Sequence, residues 1–122
     1  MPRFAVLEHR RDGVHWDFLL EHGAGLRSWA LQEPIVAGRD VPARALPDHR
    51  RVYLDYEGEV SGGRGSVRRL DAGTYQVRIW AEDRVWVVLQ GAQLVGAAEL
   101  RRIQSGAAET LLGWMFRFGK VD

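Results

Sequence analysis

The chain of 122 residues contains no cysteine. That excludes a disulfide scaffold, a zinc–thiolate finger, an iron–sulfur centre and a cysteine nucleophile, and it fits a reducing, cytoplasmic setting. No apolar run approaches the roughly 18 residues that a membrane span requires. The opening stretch, Met1 to Gly13, holds nothing like the apolar core of a secretory signal, so no membrane partner is expected. Proline is scarce, with four residues, and three of them fall within 33–50. Lysine is scarcer: Lys120 is the only one, so every other basic residue is arginine. A GC-rich genome produces that bias, and the planar guanidinium fork also suits phosphate. Charge of one sign is lacking too. The 17 basic and 16 acidic residues leave a net charge of +1, which alone gives no electrostatic case for a polyanionic partner.

What is present reads as one all-β domain spanning the whole chain, 1–122. Short runs rich in Val, Trp, Tyr and Leu alternate in polarity between Gly, Asp and Pro clusters. The pattern predicts strands near 3–9, 14–22, 25–32, 57–60, 64–70, 73–81, 84–91, 93–103 and 110–118. Turns are predicted at Asp12-Gly13, Gly23-Ala24-Gly25, Ser61-Gly62-Gly63, Asp71-Ala72-Gly73 and Glu82-Asp83. Such spacing suits a barrel or a sandwich, and closing a barrel would remove exposed edges. Residues 33–50, proline-containing and without alternation, are expected to form a long surface connection. Residues 104–113 could form a turn or two of helix, with Ser105 as its cap. The five tryptophans sit inside alternating strands and are expected to be core rather than base-stacking platforms.

Two of the four histidines are informative by position. His9 ends the first predicted strand and His15 opens the second, so a hairpin would bring both imidazoles to its tip. Alternation then places His15, Asp17, Leu19 and Glu21 on one face of the second strand, and Trp16, Phe18 and Leu20 on the other. His15 and Asp17 would lie about 6–7 Å apart along the strand. Two imidazoles and a carboxylate with open positions suit a divalent metal, and the ligand types admit manganese, zinc or iron. The competing reading is a set of exposed residues at a hairpin end. His49 with Tyr53 four residues on could face one pocket, as proton donor and phosphate hydrogen-bond donor; a polar loop is the alternative. Ser61-Gly62-Gly63-Arg64-Gly65 lies between strands and not before a helix, so it reads as a turn rather than a phosphate loop.

Several stretches stand in one order: Glu8-His9, His15-Trp16-Asp17-Phe18-Leu19-Leu20-Glu21, Leu26-Arg27-Ser28-Trp29-Ala30, Asp48-His49 with Tyr53, and Tyr56-Glu57-Gly58. Leu94-Val95-Gly96 and Leu100-Arg101-Arg102 follow more loosely. In this the chain resembles the phosphoesterase module of bacterial DNA ligase D, an end-healing domain that also occurs alone. The resemblance implies a small closed or nearly closed β-barrel of about eight strands with a substrate groove and little helix. It implies manganese-dependent removal of a 3′-phosphate or a 3′-terminal ribonucleotide from DNA or RNA ends, in company with end-joining repair proteins. Carried over, His9, His15 and Asp17 would hold the metal, with zinc or another divalent ion as alternatives. His49 would act at the scissile phosphate and Tyr53 would contact a phosphate oxygen. Arg27 would grip phosphate where the family has lysine.

The sequence also departs from the family pattern. Leu19 replaces an arginine that engages the phosphate, and the register of a second arginine falls near Val41, with Arg39 or Arg44 as substitutes. Few residues precede His9, so the extension supporting ribonuclease action is not expected, nor are sealing and extension of DNA. Leu19 is expected to line the groove, leaving a gap for Arg27, Arg44 or Arg64, and Leu19→Arg to raise activity. A Leu19 closed beneath an apolar lid would count against turnover. The alternatives are a catalytically weakened module that binds nucleic-acid ends or a repair partner, and an esterase acting on a small phosphorylated compound.

Overall fold

A computed structural model describes residues 1–103 and 113–120. Nine strands form one antiparallel sheet: β1 (Arg3–Arg10), β2 (Val14–His22), β3 (Gly25–Leu31), β4 (Asp40–His49), β5 (Gly58–Glu59), β6 (Ser66–Trp80), β7 (Arg84–Gly91), β8 (Val95–Arg102) and β9 (Gly113–Gly119). Their order is β1-β2-β3-β4-β9-β8-β7-β6, and β6 pairs back onto β1, closing an eight-strand barrel with β5 added outside. Closure leaves every barrel strand with two neighbours, which removes most of the unpaired backbone that separate short strands would expose. Besides the strands there is a single 3-10 turn, Arg51–Leu54, among the described residues. No helix there is long and apolar enough to cross a membrane. The helical turns and Ser105 cap expected near 104–113 lie outside the described residues, apart from Gly113, which opens β9.

Two sequence expectations fail for traceable reasons. The long connection expected over 33–50 is mostly strand, because Asp40–His49 form β4 between β3 and β9. Val41 and Ala43 alternate inward and are fully buried, but Pro42 and Pro47 disguise the alternation. Pro47 falls beyond Arg44, the last residue paired with β9, where a missing amide costs no ladder bond on that side. The turn expected at Asp71-Ala72-Gly73 does not exist either: one 15-residue strand, β6, runs through it. The buried Asp71 carboxylate instead accepts the amides of Ala92, Gln93 and Leu94, capping the neighbouring β7–β8 turn. Gly73 allows the close approach of β7, since a Cβ there would lie 2.1 Å from the Gln90 carbonyl oxygen.

Strand alternation sorts the apolar residues into two clusters. Phe4, Val6, Phe18, Leu20, Trp29, Phe116 and their neighbours fill the barrel. Ala5, Leu7, Leu19, Leu26, Leu54 and Val67 form a smaller cluster on the outer face of β1–β3, with Leu54 contributed by the 3-10 turn. Covering about three leucine-sized side chains there is worth several kcal/mol, at roughly 1.5–3 kcal/mol each. That packing ties the 50–65 segment to the barrel wall. Trp29 and Trp114 are buried core as expected, whereas Trp86 lies between inward Val85 and Val87 and faces out beneath Arg84, 5.3 Å from its ring centroid.

Candidate metal and phosphate site

The hairpin loop Arg11–Gly13 turns on the positive φ of Asp12 and Gly13, 52° and 115°. It sets His9 directly opposite His15 across β1 and β2. Their rings approach edge to face at 4.7 Å. Asp17, next on the same face, is buried at 1% exposure. One of its carboxylate oxygens accepts from His15 Nδ1 at 2.8 Å, and the other lies 3.4 Å from His9 Nδ1. The ligand-type atoms of the three side chains fall within 4.8 Å of one another.

This set fits a divalent cation on grounds independent of sequence pattern. Buried polar atoms are nearly always hydrogen-bonded, yet His9 Nδ1 is buried without a hydrogen-bond partner and faces Asp17. Its other nitrogen, Nε2, is 2.8 Å from the Arg64 carbonyl oxygen. Two imidazoles and one carboxylate, half shielded from water, match the donors used by zinc and manganese.

The three residues line a groove of about 860 Å³ on the outer face of the barrel. Also lining it are His49, Tyr53, Arg44 and Arg64, which the sequence suggested, and Arg11 and Arg50, which it did not. β4 brings Arg44 there by register: Asp17 pairs with Ala30, and Ala30 with Arg44. Neighbouring strands are about 4.8 Å apart, so Arg44 starts roughly 10 Å from Asp17, with only the small Ala30 between. The 3-10 turn brings Tyr53, whose ring edges onto His49 and Tyr56, each at 5.8 Å. His49 Nδ1 lies 3.0 Å from the Pro47 carbonyl, so Nδ1–H donates and Nε2 is left free. Arg64 Nε–H donates to the Ser61 carbonyl and Nη2 to its hydroxyl, which leaves Nη1 without a partner among the described residues. Leu7, Leu46, Val60 and Val67 supply apolar walls.

Two expected groove residues lie elsewhere. Arg27 pairs with Leu20, whose side chain points into the barrel, and so shares the inward face of Trp29. Its guanidinium stacks over Trp29 at 4.2 Å, and burial there pushes its pKa down against the opposing pull of Asp48. Leu19 is on the groove side of β2 but is fully buried in the outer cluster that also holds Leu54, and it does not line the groove. Arg27 shares its face with Trp29 at a spacing of two, so alternation in the sequence already held that signal. Arg50 and Arg11 had only their adjacency to His49 and to the hairpin tip to announce them.

Comparison with known proteins fits this geometry. A family model described as "DNA Ligase D 3'-phosphoesterase domain" matches residues 7–102. The multifunctional non-homologous end joining protein LigD of Mycobacterium bovis is 32% identical over 108 residues, covering 81% of this chain and 14% of that protein. The multifunctional non-homologous end joining DNA repair protein LigD of Mycobacterium tuberculosis, in two strains, matches with the same identity and coverage. The chain therefore spans only a small part of the length of these curated relatives.

Proposed function

The chain belongs to the DNA ligase D 3′-phosphoesterase domain family, and we propose that it removes a phosphate or a terminal ribonucleotide from nucleic-acid 3′ ends during end-joining repair in the cytoplasm. His9, His15 and Asp17 would hold the divalent ion, manganese before zinc. When bound, such an ion neutralises and polarises a phosphoryl oxygen. The observation that carries this reading is convergence: the three ligand-type residues, His49, Tyr53 and four arginines line one groove.

The chain's own residues divide the remaining work. The Pro47 carbonyl fixes the His49 ring through Nδ1–H, so Nε2 of the neutral ring is an acceptor, and in the protonated ring Nε2 would carry the second hydrogen and give it to a departing oxygen. The Tyr53 hydroxyl can donate to a phosphate oxygen. Arg44 and the free edge of Arg64, with Arg11 and Arg50, offer forked donors to a phosphate and its neighbour along a strand.

A second reading, a module that binds 3′ ends with little turnover, is favoured by the burial of Leu19. With that position sealed, any arginine clamp has to come from the β1–β2 hairpin loop, β4 and the 50–65 segment. An oligonucleotide ending in a 3′-phosphate separates the two readings. Manganese-stimulated phosphate release that is lost in His15→Ala is expected. Tight, salt-sensitive binding without release would instead establish the second reading, and release only from small phosphoesters would replace nucleic acid as the substrate.

A further inference from the structure

We infer that Arg64 is a positioning residue for the metal set, acting through its backbone: its carbonyl fixes the His9 proton on Nε2 and so turns an unprotonated Nδ1 toward Asp17. The inference rests on the proposed role of His9, His15 and Asp17, but its central observable exists without any metal.

A carbonyl oxygen only accepts, so the 2.8 Å contact with His9 Nε2 requires the hydrogen to sit on that nitrogen. A neutral imidazole has one such hydrogen, which leaves Nδ1 with a lone pair. That atom is buried, lacks a hydrogen-bond partner, and stands 3.4 Å from Asp17 Oδ2. Two lone-pair atoms facing each other in a shielded site repel unless a cation lies between them. The arrangement is therefore prepared for an ion, and the second nitrogen of a metal-binding histidine is the usual place for such an orienting bond.

The Ser61–Gly65 turn holds the carbonyl in place. Gly62, Gly63 and Gly65 adopt φ of 76°, 68° and 81°, a region costly for any side chain. The Val60 amide donates to the Gly65 carbonyl at 2.7 Å, and the Arg64 side chain staples the turn through Ser61. A Cβ on Gly65 would lie 1.9 Å from the Arg10 carbonyl oxygen. A side chain there would force the turn away from the end of β1 and carry the Arg64 carbonyl off His9.

Nitrogen-15 imidazole spectra of the metal-free protein, in mildly alkaline buffer where imidazoles are neutral, test this directly. His9 should be protonated at Nε2, and titration with zinc should shift Nδ1 while the Nε2 proton persists. Gly65→Ala should give a mixture of His9 tautomers. It should also weaken manganese binding, measured by electron paramagnetic resonance of the free ion, about 10- to 100-fold, the scale typical of lost orienting partners. Arg64→Ala, which keeps the carbonyl, should weaken it less. A proton on His9 Nδ1 in the wild type, zinc adding at Nε2, or a folded Gly65→Ala with unchanged tautomer and affinity would each overturn the inference. If Gly65→Ala does not fold, the wild-type spectra decide. A wild type with the Nε2 proton that binds no divalent ion would overturn the functional reading and leave the carbonyl lock standing.

Discussion

The arginines of the β7–β9 wall and those of the groove are placed in opposite ways. On the wall, Arg84 and Arg101 pair with Glu99, Arg102 with Glu82, and Arg117 with Asp40. In the groove, Arg11, Arg44, Arg50 and Arg64 make no ion pair with a carboxylate among the described residues, although Asp12 and Asp48 line the same space. Exposed ion pairs stabilise a fold by about 0–1 kcal/mol each, so stability explains neither pattern. The difference lies in the local field. A net charge of +1 does not reveal the contrast: four wall arginines share three carboxylates in ion pairs, whereas four groove arginines beside Asp12, Asp17 and Asp48 make none among the described residues. Whole-chain charge hides such a division, because potentials in a cleft are set by nearby groups.

The comparison can be broken at its floor. Leu19→Arg puts a guanidinium into the cluster of Leu7, Leu26, Leu54 and Val67 that separates groove from barrel. We expect about 3–5 kcal/mol of destabilisation, the usual consequence of an uncompensated buried charge, read as a fall in the urea midpoint. A variant of wild-type stability and raised activity would show that position 19 opens into the groove after all.

A paired substitution sharpens the comparison. Arg44→Ala should weaken oligonucleotide binding by about 1–2 kcal/mol and reduce the salt slope by ~0.7–0.9, the value of one phosphate contact. Arg101→Ala on the wall should leave both unchanged. Equal effects of the two would mean that the groove arginines are not distinguished from the rest.

The barrel interior serves as a control. Tyr75 is buried, its hydroxyl donates to the Glu21 carbonyl at 2.6 Å, and burial pushes its pKa up to about 12. The neutral form is favoured in the folded state. Its stabilisation is complete below the ordinary tyrosine value near 10 and is lost as pH rises through about 12. Wild-type stability should fall over that window at up to ~1.4 kcal/mol per pH unit, and Tyr75→Phe should flatten the fall without altering groove chemistry.

Much of the site was legible because it depends on short-range periodicity. A three-residue loop between two alternating strands is enough to bring His9, His15 and Asp17 to one face, and all three lie within a nine-residue stretch of the chain. Leu19 was placed on the right face and at the wrong depth. Alternation tells which side a residue takes but not what packs over it, and here Leu19 is sealed in a cluster that gathers Leu7, Leu26, Leu54 and Val67. β4 was missed because two prolines interrupt a pattern whose inward residues, Val41 and Ala43, are only two.

Alternation along β1 and β2 was enough to bring the ligand-type trio to one face, and the glycines of Ser61–Gly65 were enough to mark a turn, since both follow from geometry local to a few residues. Which arginines meet that trio was decided by tertiary structure alone. Arg44 arrives through the pairing of β4 with β3, Arg50 and Tyr53 through the packing of Leu54, and the Arg64 carbonyl through the fit of Gly65 against Arg10. Those placements depend on contacts between segments tens of residues apart, and closing the barrel is what brings such segments together.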